Sequence, residues 1–186
     1  RTYAGGGVIN GKLYVVGGCA MNSDCRIGTT NVLEAYDPAT NSWTNLAAMP
    51  TTRSGVATGV INGRLYVAGG TVACPTCVAL TVVESYDPVA NTWQTEPPLP
   101  SGVYAARGAV INNVFYVVGG YTWTTSSTVN SVYAFDPADG ATGTWTDKAT
   151  MPTSRYVLGV EAVNGILYDF GGWNSSSGTI AVVEAY

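Results

Sequence analysis

The sequence predicts an all-β protein built as a β-propeller, and three observations predict it. A Gly-Gly pair ends an apolar run at Gly17-Gly18, Gly69-Gly70, Gly119-Gly120 and Gly171-Gly172. The spacing is about fifty residues, a period that marks repeat architectures. Each copy holds short strand signals separated by turn residues, and no stretch shows helical periodicity bounded by caps. Tandem four-stranded units of this length make a propeller.

Each repeat can be followed strand by strand, A to D. The segments GVINGKLYVVGG, GVINGRLYVAGG, AVINNVFYVVGG and EAVNGILYDFGG hold strand A, a two-residue turn and strand B. The turn at Asn62-Gly63 suits residues that tolerate positive φ. Strand C follows as VLEAYDP (32–38), VVESYDP (82–88), SVYAFDP (131–137) and VVEAY (182–186). Asp-Pro then opens the C–D turn, because Pro fixes φ and the short Asp side chain bonds the backbone. Trp43, Trp93 and Trp145 stand in strand D and are expected to pack between blades. Met49-Pro50, Leu99-Pro100 and Met151-Pro152 close the units. The repeats run approximately over 1–50, 51–100, 101–152 and 153–186 of a single domain, 1–186. The fourth lacks its outer strand.

Composition narrows the chemistry. Charged residues make up 11% of the 186, and hydrophobic residues 46%, which is too apolar and too aromatic for disorder. With no His, Ser-His-Asp and Cys-His catalysis are excluded, as are imidazole metal sites. No cofactor is expected. A net charge of -4 argues against a nucleic-acid footprint, and no apolar run reaches the ~18 residues of a membrane span. The chain opens on Arg1 rather than Met, so a processed protein or a segment is expected.

The Gly-Gly, the Tyr-Asp-Pro beyond it and the Trp after that resemble kelch repeats, and the resemblance covers the whole chain. It implies that the glycines let the end of strand B approach the Tyr and Trp of strands C and D. It also implies six or seven blades in a whole propeller, so the chain is expected to be a segment of a longer one. A four-bladed ring with a frayed last blade, or self-association that completes a ring, are the alternatives. The B–C and D–A loops are expected to share one face that carries recognition. The B–C loops (19–31, 71–81, 121–131 and 173–181) are the least alike parts of the repeats, which fits variable loops on a rigid scaffold.

Four groups of residues are candidates for function. Cys19 with Cys25, and Cys74 with Cys77, are expected to form two local disulfides in an exported protein. A four-Cys zinc site and a redox CxxC are the alternatives. Arg1, Arg53, Val103 and Arg155 share one position just before strand A. By resemblance Arg53 and Arg155 could bind a partner's carboxylate, the planar fork matching it; the other reading is a structural arginine bonded to loop carbonyls. Arg107 and Glu161 depart from small residues in strand A, on one face of adjacent blades, and Asp169 replaces a Val in strand B. They form either an internal ion pair and a solvated carboxylate or a catalytic or ligand-binding centre at the axis. Kelch enzymes that handle sialic acid resemble the second case in using Arg and Glu, whereas a copper oxidase of the galactose-oxidase kind would need His. Tyr121, Trp123 and Trp173 follow a Gly-Gly and suit stacking on a sugar or a peptide; the alternative is rings folded over the blade top. Asn174-Ser175-Ser176 matches a glycosylation acceptor.

The first functional expectation is therefore an extracellular recognition or scaffold module, secreted or at the cell surface. Its partner is a protein or glycan bound at the B–C and D–A loops. A carbohydrate-active enzyme using Arg107 and Glu161 is the second, and a component of a surface layer or fibre the third.

Overall fold

The structure is a computed structural model that describes residues 1–19, 28–73, 77–138, 140 and 142–186. It is a β-propeller of four blades, with no helix among the described residues. Blade one holds β1 (Gly5–Ile9), β2 (Lys12–Val16), β3 (Leu33–Asp37) and β4 (Ser42–Asn45). Blade two holds β5 (Ala57–Ile61), β6 (Arg64–Ala68), β7 (Val83–Asp87) and β8 (Thr92–Glu96). In blade three, β9 (Arg107–Ile111) and β10 (Val114–Val118) are followed by a small hairpin of β11 (Tyr121–Thr122) and β12 (Ser127–Thr128). The blade is completed by β13 (Val132–Asp136) and β14 (Thr144–Asp147). Blade four repeats this with β15 (Gly159–Val163), β16 (Ile166–Phe170), a hairpin of β17 (Trp173–Asn174) and β18 (Gly178–Thr179), and β19 (Val183–Ala185). Each blade is an antiparallel meander, and the fourth has three strands. The two small hairpins lie inside stretches expected to be plain loops.

The A–B turns follow the chemistry of their residues. Asn62 and Gly63 have φ of 49° and 76°, and Asn112 and Asn113 have 50° and 63°. Both central residues are left-handed, as a type I′ turn requires.

The core lies between blades. Tyr14, Val16, Leu33 and Met49 of the first unit pack with Leu65, Val67 and Tyr86 of the second. Ile61, Tyr66 and Leu99 meet Phe115 and Phe135, and Val118, Val132 and Met151 meet Leu158 and Leu167. The conserved-looking aromatic positions bridge these seams: Tyr66 stands 5.9 Å from Phe135, ring centre to ring centre.

The Gly-Gly pairs act differently from the expectation. Gly70 N–H donates to the Val103 carbonyl at 2.8 Å, and a Cβ on Gly69 would come within 2.6 Å of that oxygen. Gly18 and Gly120 make the same bond to the carbonyls of Arg53 and Arg155. The glycines thus grip the linker that leads into the following blade, where a side chain would block the approach. They do not make room for the Tyr and Trp of their own blade.

Two of the three strand-D tryptophans pack between blades. Trp93 Nε1 donates to the Ala47 carbonyl at 2.8 Å, and Trp145 Nε1 donates to the Pro97 carbonyl at 2.8 Å. Trp43 instead pairs with Tyr36 in its own blade and is 55% exposed. Among the described residues, no other blade packs against it.

Candidate recognition face

The arginine position before strand A is structural in its geometry. Arg53 is fully buried. Its guanidinium donates to the carbonyls of Gly69 (2.7 Å), Val82 (2.8 Å) and Val67 (3.1 Å), and to Glu84 Oε2 at 2.8 Å. Thr51 donates to the other Glu84 oxygen. Burial lowers the Arg53 pKa to about 10, with Glu84 opposing the shift, so the group stays charged at neutral pH. Arg155, also fully buried, repeats the pattern on the Gly171 and Val182 carbonyls and on Glu184 at 2.9 Å. Arg1 repeats it on the Val32 carbonyl and Glu34. Arg53 and Arg155, expected as possible carboxylate binders at the mouth, are spent on their own blades.

Asp169 joins this ion-pair system. It is 2% exposed, pairs with Arg155 at 3.2 Å, and faces Glu184 across the β16–β19 ladder. One guanidinium therefore serves two carboxylates. Burial raises the Asp169 pKa; Arg155 opposes this and Glu184 adds to it. It is neither solvated nor at the axis.

Arg107 and Glu161 do not pair. Glu161 is exposed, and its Oε1 accepts only from the adjacent Ala162 N–H. It is the counterpart of Ala109, opposite Tyr168, and so lies two residues further along its strand than Arg107 does. That offset is roughly 7 Å at strand rise. Arg107 donates to the Ala106 carbonyl and has no carboxylate within 4 Å among the described residues. It lines a small cavity of about 160 Å³ with Gly5, Gly6, Thr58 and Gly108. Burial lowers its pKa, while nearby Tyr3 and Tyr104 favour the charged form.

Above that cavity the backbone makes a girdle. Gly55 N–H donates to Tyr3 O, Ala105 to Gly55 O, and Val157 to Ala105 O, at 2.8, 2.8 and 3.0 Å. All four residues have φ between 53° and 65°, a left-handed conformation that is costly for Tyr, Ala and Val. The girdle presents Tyr3, Tyr104 and Tyr156 beside the B–C hairpins. The result is one chain of rings. Tyr3 stands 5.9 Å from Tyr104, Tyr104 5.1 Å from Trp123, and Trp123 5.4 Å from Tyr121. Tyr121 is 5.7 Å from Tyr156, and Tyr156 is 5.6 Å from Trp173. The Tyr156 hydroxyl is pushed up by burial and by Tyr3 and Tyr121. The rings are half-buried to exposed, Trp173 reaching 40%.

The structure therefore joins the three expected aromatics to three that the sequence reading missed. Tyr104 and Tyr156 stand where Thr2 and Ser54 stand in the other repeats, and Tyr3 where Gly55 does. Comparison of those columns would have singled them out.

The hairpins of blades three and four are fastened together. Asn174 Nδ2 donates to Ser154 O at 2.6 Å, its Oδ1 accepts from Ser176 and Ser177 N–H, and Ser175 bonds Thr128. Asn174, the first residue of the acceptor pattern, is held inside a turn. Cys25 and Cys74 lie outside the described residues, so both expected disulfide pairings and the zinc alternative do too.

The comparisons with known proteins agree with this geometry. The kelch motif matches residues 1–50, 52–100 and 103–152. N-acetylneuraminate epimerase of Shigella sonnei is 41% identical over 71 residues, 38% of this chain and 19% of that protein. An F-box/kelch-repeat protein of Arabidopsis thaliana is 38% identical over 63 residues, 34% of this chain and 16% of its own length. Kelch-like ECH-associated protein 1A of Danio rerio is 41% identical over 68 residues, 36% of this chain and 11% of its own. The matched stretch is thus a minor part of each relative. The solved structure of YjhT matches with a TM-score of 0.79 at 23% identity, over 92% of this chain and 59% of that one, which shows the shared fold. With three repeats matched in phase across most of its length, the chain belongs to the kelch-motif family.

Proposed function

We propose that this chain is a recognition module that binds a protein or glycan partner through its D–A and B–C loops. The observation that carries the reading is the unbroken chain of six rings from Tyr3 to Trp173 on that face. Rings supply large contact area at little entropic cost and are favoured anchors of binding sites. Kelch propellers generally mediate protein binding, which supports the same reading. The test is a screen against glycans and peptides, repeated with Trp123→Ala, Trp173→Ala and Tyr104→Ala. Binding should fall at least about tenfold while melting stays near wild type. Partner binding that survives all three substitutions overturns the assignment.

The same reading includes export to an oxidising compartment, with Cys19–Cys25 and Cys74–Cys77 disulfides. Its support is that neither Cys19 nor Cys77 is a free thiol. Intact mass without reductant decides it, since two disulfides lower the mass by four hydrogens and free thiols do not.

A second reading, sugar-acid chemistry, is favoured by Arg107 standing without a carboxylate in a small axial cavity and by the stretch similar to N-acetylneuraminate epimerase. Arg107 would hold the acid group. Turnover of N-acetylneuraminate that persists in Arg107→Gln would remove it.

A further inference from the structure

Blade three departs from the other three at two coupled positions. Blades one, two and four bury or half-bury an arginine against a glutamate: Arg1–Glu34, Arg53–Glu84 and Arg155–Glu184. Blade three has Val103 and Tyr133 in those two places, and Tyr133 faces Val117 across the ladder as Glu84 faces Val67. Both charges have gone together, so neither is left buried and unpaired.

A cavity of about 450 Å³ lies there, within the ~300–1,000 Å³ range of small-molecule sites. Its walls have a definite chemistry. Six hydroxyl residues line it: Ser101, Thr122, Thr124, Thr125, Ser131 and Thr150. Val103, Val129 and the Tyr133 ring form the apolar part. Among the described residues no Asp, Glu, Lys or Arg lines it. The Ser131 Oγ is buried and has no hydrogen-bond partner. Ser101 holds the place of Thr51, whose hydroxyl is satisfied by Glu84; here that carboxylate is missing.

This combination selects against other ligands. A charged ligand would lose hydration and find no counter-charge. A purely apolar one would strip water from the lining hydroxyls without pairing them. A saccharide offers C–H faces for Val103, Val129 and Tyr133, and hydroxyls that both donate and accept. We infer that this cleft, opened by replacement of the arginine–glutamate pair, binds a neutral saccharide unit. The cleft is lined by the D–A and B–C loops of blade three, so the inference rests on the reading above and deepens it. None of the six rings lines it, so loss of sugar binding here and loss of partner binding at the rings are separate outcomes.

The experiment is saturation-transfer NMR and titration with neutral hexoses, pentoses and their oligosaccharides. Glucuronic acid and an arginine-containing tripeptide serve as comparators. The decisive variant is Val103→Arg with Tyr133→Glu, which rebuilds in blade three the pair the other blades already accommodate and fills the cleft. Neutral sugars should bind the wild type and lose about tenfold or more in this variant, while Trp43→Phe leaves them within about twofold. Ser101→Ala, at an exposed hydroxyl of the lining, is the second variant and should cost about three- to tenfold; it decides the matter if the double variant does not fold. No transfer to any neutral sugar at about 10 mM, equal binding by the folded double variant, or binding of the acid or tripeptide alone would overturn the inference.

Discussion

The Trp93 indole N–H donates to the Ala47 carbonyl of the preceding blade at 2.8 Å. The same linker is held from the side by Asn91, whose Oδ1 accepts from the Ala47 N–H and from the Tyr86 hydroxyl. One tryptophan thus joins ring packing to a direct bond between neighbouring blades. Trp93→Phe keeps most of the ring and strands the Ala47 acceptor, and should lower stability by about 1–2 kcal/mol. Trp145→Phe should do the same through Pro97. Trp43→Phe, at an exposed position, should change little. Urea unfolding of the three variants checks this, and equal losses at Trp43 and Trp93 would contradict it.

The buried arginine–glutamate pair predicts a strongly non-additive cycle. Arg53→Val alone leaves Glu84 charged with its partner gone and should cost about 3–5 kcal/mol. Adding Glu84→Tyr copies the arrangement of blade three and should recover much of that loss. The coupling energy from the four unfolding curves measures it; additive losses would show that the pair acts as two independent groups.

Asp169 supplies a pH dependence with a definite sign. Its carboxyl is raised above the ordinary value, chiefly by burial, so the folded state keeps this proton to a higher pH than the unfolded chain does. Its contribution to stability therefore falls as pH rises from the ordinary carboxylate range through the raised value, and the penalty is complete above it. Asp37 and Asp87 run the other way. Asp37 is lowered chiefly by Lys12 and Asp87 by the Ala90 N–H, so both add stability that is lost as pH falls. Comparison of Asp169→Val with wild type isolates the one effect. With Arg155 still held by Glu184, the variant should be the more stable at pH 7, and its advantage should shrink towards pH 4.

The glycine grip predicts a contrast between two equivalent positions. Gly69→Ala would press its Cβ to 2.6 Å from the Val103 carbonyl at a φ of 65°. At Gly171, φ is 64°, but the nearest atom would be 3.9 Å away. Gly171→Ala should therefore cost only the left-handed backbone term, about 1–2 kcal/mol, and Gly69→Ala clearly more. Similar losses would mean that φ alone selects these glycines.

Local chemistry made much of the fold legible. The repeat period, the Asn-Gly turns and the strand lengths are decided within ten or so residues, and all appear as expected. What depended on neighbours across blades was not legible. Strand parity placed Arg107 and Glu161 on one face, yet the two-residue stagger between equivalent positions kept them apart. Asp169 read as solvated because its partner, Arg155, reaches it only through the fold. Arg53 left two readings open, a binding group or a structural arginine, because most of its acceptors are backbone carbonyls, which carry no residue-type signal. Tyr104, by contrast, could have been found, since it departs from its column as plainly as Arg107 does.

The clasp between each Gly-Gly and the next linker also governs how the molecule loosens. Every seam is made by adjacent blades alone, so order is shared in steps along the array, and little couples blade one to blade four directly. Amide exchange should accordingly be graded. Among the described residues, the strands of blades two and three have a blade on both sides and should open last, and β19, with exposed Val183 and paired to β16 alone, first.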